Sequence, residues 1–161
     1  MKKGLGRGFI VLGIVIILVF IFYNPRISGD KILEEFFQDV ADDIASVTLV
    51  KEIEKNGNLA SSESRSLTKE QMEQFYVAFR DSEFQDIKDR AFTISTNTSK
   101  ADTRYIFTFA DSMGKEVIRM QFYGDRHLLL DRGYNAEKPS VYKRYRLMST
   151  GLGDFFEKAM S

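Results

Sequence analysis

Hydrophobic residues along this chain fall into three patterns, and each predicts a different kind of element. The first is a continuous block. From Gly8 to Tyr23 every residue is uncharged and nearly all are strongly apolar. At 1.5 Å per residue this block spans roughly 24 Å as a helix, a little less than the roughly 30 Å core of a bilayer. Arg7 can snorkel outward and lengthen the span, and Tyr23 suits the far interface. Asn24-Pro25 ends the helix, because proline disfavours helix in the residue before it. Gly8, Phe9, Ile10, Leu12, Ile16, Val19, Phe20 and Tyr23 are therefore expected in a transmembrane helix over 8–23. A basic tail over 1–7 precedes it, and a single domain over 24–161 follows. A buried core helix is the poorer reading, since the run offers no polar face to water. A cleaved signal peptide is the competing one, with Ile27-Ser28-Gly29 as its cleavage site. That site lacks the small-x-small pattern, and Pro25 and the bulky Phe20-Ile21-Phe22-Tyr23 end argue against it.

The second pattern has helical spacing. Over Asp30 to Ala45, one stripe holds Ile32, Leu33, Phe36, Phe37, Val40, Ala41 and Ile44, opposite Glu34, Glu35, Asp39, Asp42 and Asp43. Thr68-Lys69-Glu70-Gln71 has the form of a capping box, with Leu67 and Met72 placed for a hydrophobic staple. It opens a helix running to about Glu83 that buries Met72, Phe75, Tyr76 and Phe79. Leu152, Phe155, Phe156, Ala159 and Met160 outline a short C-terminal helix.

The third pattern has a period of two. Ser46 to Glu54 reads as a strand followed by an Asn56-Gly57 turn. Ala60 to Ser66 is polar throughout and reads as a surface loop. Phe92 and Ile94 alternate with polar neighbours, and Asn97 to Asp102 makes a loop. Tyr105, Phe107 and Phe109 then alternate up to a hairpin turn at Asp111 to Gly114, and Ile118, Met120 and Phe122 mark the return strand. His127 to Asp131 and Val141 to Met148 follow, separated by a loop over Gly133 to Pro139. Helices segregated from consecutive hairpins predict an α+β domain. Its mainly antiparallel sheet of about five to six strands is packed by two to three helices on one face.

Composition narrows the chemistry. The 161 residues include no cysteine, which excludes disulfides, thiolate nucleophiles and cysteine-based zinc sites. Lys2, Lys3 and Arg7 precede the apolar block and only Arg26 follows it closely, so the N-terminus is expected inside the cytoplasmic membrane and the domain outside. Apart from those three, 20 basic residues face 23 acidic ones, a net charge of about −3. Nothing in that balance predicts nucleic-acid binding, which needs a strong basic footprint.

The sharpest candidate site is the basic-aromatic run Val141-Tyr-Lys-Arg-Tyr-Arg146 with the basic residues upstream of it. Arg126, His127, Arg132, Lys143, Arg144 and Arg146 would form a patch for an anionic partner if their strands pair. Strand alternation dilutes it, setting Lys143 on one face and Arg144 and Arg146 on different phases, and charge on an exposed strand also serves to block edge pairing. His127 is the only histidine, and no nucleophile motif or metal-ligand spacing accompanies it. Asp111-Ser-Met-Gly-Lys115 lacks the calcium and phosphate loop patterns and is explained as a hairpin turn. No catalytic residue, metal ligand or cofactor is therefore assigned.

The strand Ser46-Val-Thr-Leu-Val-Lys-Glu52, the helix start Ser66-Leu-Thr-Lys-Glu-Gln-Met-Glu-Gln-Phe75 and the hairpins after it give the chain a layout. That layout resembles the small exported α+β proteins of Gram-positive bacteria that carry one membrane anchor and have no established function. The resemblance implies a single-pass extracytoplasmic domain and brings no catalytic residues with it. The expected function is a non-enzymatic binding or regulatory module with a protein or cell-envelope partner. The alternatives are an envelope enzyme or enzyme accessory, and a structural unit of a membrane-attached assembly.

Overall fold

The computed structural model describes residues 26–55, 58–87, 103–124, 126–132, 141–149 and 151–161. The expected transmembrane span over 8–23 lies outside these residues, as do the turn at Asn56-Gly57, the alternating segment at Phe92 and Ile94, and the loop from Gly133. Among the described residues, no helix is long and apolar enough to cross a membrane.

The chain begins with β1 (Arg26–Ser28), which leads directly into helix α1 (Gly29–Phe37). A hairpin of β2 (Ser46–Lys55) and β3 (Asn58–Ser66) follows, then α2 (Lys69–Arg80) and β4 (Glu83–Asp86). The meander β5 (Thr103–Ala110), β6 (Glu116–Tyr123), β7 (His127–Arg132) and β8 (Val141–Ser149) comes next, and α3 (Leu152–Met160) closes the domain. All eight strands form one sheet in the order β1-β4-β8-β7-β6-β5-β2-β3, and every neighbouring pair is antiparallel. The α+β class and the antiparallel sheet with three helices agree with the sequence reading.

The strand count does not agree with it. Among the described residues there are eight strands where five to six were expected, for reasons visible in the added ones. β1 is three residues long and β4 four, too short for a period to show. β3 occupies the polar run expected to be a loop. All nine of its residues are exposed, so no burial stamps an apolar alternation on it. Its backbone is held instead by pairing with β2, from Thr48 opposite Ser66 to Lys55 opposite Asn58.

The helices also end earlier than their patterns suggest. Ser28 caps α1, its side chain accepting from the Lys31 N–H, and the helix stops at Phe37. Val40 then takes φ −135° and ψ 0°, outside the helical region, and a short 3-10 turn at Ala41–Asp43 replaces the rest. α2 stops at Arg80 rather than Glu83, because Ser82 is buried with its hydroxyl on the Ala78 carbonyl and Glu83 pairs into the sheet.

α2 carries the chain across the sheet, from the β3 edge to β4 next to the opposite edge. Phe75 and Phe79 on its underside are fully buried. Phe75 stacks on Phe107 of β5 with ring centroids 4.5 Å apart, and Phe79 packs on Phe84 of β4 at 4.9 Å. Phe37 of α1 meets Phe109 edge-on at 4.9 Å, and Phe156 of α3 lies over Tyr105 at 4.4 Å. These rings, with Leu49, Ile118, Met120, Leu128 and Leu130, make one aromatic-rich core between the helices and one face of the sheet. Ring pairs in such arrangements add about 0.5–1.5 kcal/mol each beyond the area they bury.

Candidate binding face

Because side chains alternate along a strand, the register that turns Phe107, Met120, Leu128 and Tyr145 toward the helices turns their neighbours to the other face. No described helix packs there. Three cross-strand rows can be read from the pairing. One runs Ser62, Glu52, Arg104, Tyr123, His127, Arg146, Gln85, Arg26. The next runs Ser64, Val50, Ile106, Gln121, Leu129, Arg144, and the third Ser66, Thr48, Thr108, Arg119, Asp131, Tyr142.

The first row is built on arginine and aromatic rings. Arg104 donates to Glu52 through Nε at 2.9 Å and pairs with Glu54 at 3.1 Å. Its guanidinium also lies 5.8 Å from the centre of the Tyr123 ring. Burial opposes the Arg104 charge, but the hydrogen bonds and attraction of Glu52 and Tyr123 outweigh it, so its pKa is raised. The Tyr123 hydroxyl donates to Gln121 at 3.3 Å. The second row is more apolar: Leu129 and Ile87 are buried, with Tyr123 packed against them. Ile87 is tied to β8 by its N–H, which donates to the Arg144 carbonyl at 3.0 Å. Arg144 in turn stacks over the Tyr142 ring at 4.5 Å, a cation–π contact on a half-exposed ring.

The six residues singled out in the sequence divide between the two faces. His127 is buried in β7, opposite Tyr123 and Arg146. Arg144 and Arg146 share the helix-free face, so they lie in the same phase and not in different ones. Arg126 is exposed in the β6–β7 turn, and its carbonyl accepts from the Leu147 N–H at 2.8 Å. Arg132 and Lys143 belong to the opposite, helix-covered face. They reach the acidic side of α1 and the turn after it, Arg132 toward Asp39 and Lys143 toward Glu35, each at 3.9 Å. A single six-residue patch therefore does not form; two of its members help to hold α1.

Arg104, Arg119 and Tyr123 were not singled out in the sequence, and Tyr142 stood there only as part of the run Val141 to Arg146. Their signal was parity: each sits one position away from a residue that faces the core. The sign of the signal depended on knowing that this face carries no described helix. Among the described residues, no group of three or more His, Asp or Glu side chains is placed to hold a metal ion. Compared with protein families, with curated proteins and with solved structures, the chain matches none.

Proposed function

We propose that this chain is a non-enzymatic binding or regulatory module, held at the cytoplasmic membrane by residues 8–23 with its domain outside. Its sheet face opposite the described helices recognises an acidic, aromatic-bearing segment of a partner protein. The observation that carries this reading is the juxtaposition of Arg104, Tyr123, Arg144, Tyr142 and Arg146 on that one face. Guanidinium groups offer forked donors to carboxylates and also stack on rings, and arginine and tyrosine are favoured anchors at protein interfaces. The half-buried Val50 and Ile106 beside them supply apolar contact area.

The test is a titration of the full-length chain in detergent with a synthetic peptide of alternating Glu and Tyr, followed by fluorescence anisotropy. The combined variant Arg144→Glu and Arg146→Glu should bind it about tenfold more weakly than the parent, and binding should fall as salt rises. Val77→Glu on the helix side, where Val77 is already exposed, should leave it unchanged. Equal binding by the parent and the double variant would refute the assignment of this face.

A further inference from the structure

A sheet eight strands wide has two edges, and here they are built differently. β1 is three residues long and carries an Arg26–Glu83 ion pair at 2.6 Å, so it presents little backbone to a passing chain. β3 is nine residues long and exposed throughout. Proteins usually protect such an edge with charged side chains, proline, a bulge or a short strand. The sequence Asn58-Leu-Ala-Ser-Ser-Glu-Ser-Arg-Ser66 contains no proline, and its two charges, Glu63 and Arg65, are of opposite sign, so they repel some pairings and match others. Its one irregularity lies opposite Ile53/Glu54, so pairing with β2 is regular from Ser61 to Ser66. Among the described strands β3 is the last of the sheet, so the outer backbone groups of that stretch face no described strand.

The side chains say what kind of strand fits there. Ser62, Ser64 and Ser66 occupy one face, and Glu63 and Arg65 the other. Read outward from Ser64, the segment meets a charge and then a serine in either direction, Glu63 and Ser62 one way and Arg65 and Ser66 the other. Two copies running antiparallel and related by a twofold axis at Ser64 would place Glu63 opposite the partner's Arg65, and Arg65 opposite the partner's Glu63. Ser62 would then oppose the partner's Ser66, and small hydroxyl side chains would meet on the second face. Directly opposed charges of opposite sign stabilise a strand pair and like charges oppose it, and a self-complementary patch is what a twofold interface requires. In the single chain, Glu63 and Arg65 bond one another at 3.0 Å while exposed to water, so exchanging the two intrachain pairs of two copies for two inter-chain pairs sacrifices little.

We infer that β3 is a self-association edge. Two copies join β3 to β3 in antiparallel register centred on Ser64, making one continuous sheet across the dimer, with the helices of both copies on the same side. The occupant is a second copy because the charge order reverses about Ser64, a match that a strand of another protein has no reason to share.

Sedimentation velocity of the full-length chain in detergent tests the association, and cysteine cross-linking tests the register, which the cysteine-free sequence makes clean. The parent should dimerise with rising concentration. Glu63→Arg places two arginine pairs across the axis and should weaken the dimer by about tenfold or more. Combining Glu63→Arg with Arg65→Glu should restore it. Ser64→Cys should cross-link to itself in high yield under mild oxidation. Ser62→Cys alone should not, whereas Ser62→Cys mixed with Ser66→Cys should. A parent that stays monomeric at the highest concentration would overturn the inference and leave this edge to a strand of another protein. A dimer indifferent to Glu63→Arg, or equal cross-linking at Ser62 and Ser64, would overturn it as well.

Discussion

A methyl group at Gly29 has no room. A Cβ built there would stand 1.7 Å from the carbonyl oxygen of Phe79 and 2.6 Å from its carbonyl carbon, and backbone atoms cannot swing aside. The Gly29 N–H donates to the Ser82 carbonyl at 2.9 Å, so the start of α1 is pinned to the end of α2 at the distance only glycine permits. Gly29→Ala should therefore lower stability by about 3 kcal/mol, read as a fall in the urea midpoint at unchanged slope. In the sequence this glycine is noticed only as the last residue of a poor cleavage site. Its actual constraint comes from a helix end far along the chain, which no local pattern reports. The same holds for Arg104, whose partners Glu52 and Tyr123 lie on the strands to either side of its own. Phe75 and Phe79 were legible, because burial imposes helical spacing on residues that are close in sequence.

Among the elements, α2 was the most legible and β3 the least. The Thr68–Gln71 box forms as its residue types foretell: the Gln71 N–H donates to Thr68 Oγ1 at 3.2 Å and the Thr68 N–H donates to Gln71 Oε1 at 2.9 Å. Capping chemistry is local and uses fixed offsets, so it survives translation from sequence to structure. Thr68→Ala should cost about 1 kcal/mol in chemical denaturation, and Thr68→Ser should keep most of it. β3 has no such local cause. Its residues turn no side chain into the core, and its strand geometry is borrowed from β2 through the backbone. α1 shows the intermediate case. Its apolar stripe continues past Phe37, but Val40 and Ile44 reach the core from a 3-10 turn instead of a further helical turn.

For the molecule as a whole, the aromatic core sets a pH limit. Tyr145 is almost fully enclosed. Burial, and then the charges of Glu35 and Asp86, push its phenol above the ordinary value of 10.0. Burial raises Tyr76, Tyr105 and Tyr142 in the same direction. Each therefore holds its proton to a higher pH in the folded chain than in the unfolded one. Stability is therefore fully present below the unfolded value and falls as pH rises past 10.0. Tyr145→Phe should remove one proton from that slope, roughly 1.4 kcal/mol per pH unit, when unfolding free energy is measured across the alkaline range. By itself the sequence determined the α+β class, the antiparallel strands from β5 onward, the identity of the helices and most of the core. Each of these follows from a periodicity that burial writes over neighbouring residues. Only the tertiary structure decided the strand order, the place of β3 at the end of the described sheet and the face on which Arg104, Tyr123, Arg144 and Arg146 meet. Those depend on which distant segments lie side by side, and the side-chain pattern within one segment, which specifies its own faces, does not name its neighbours.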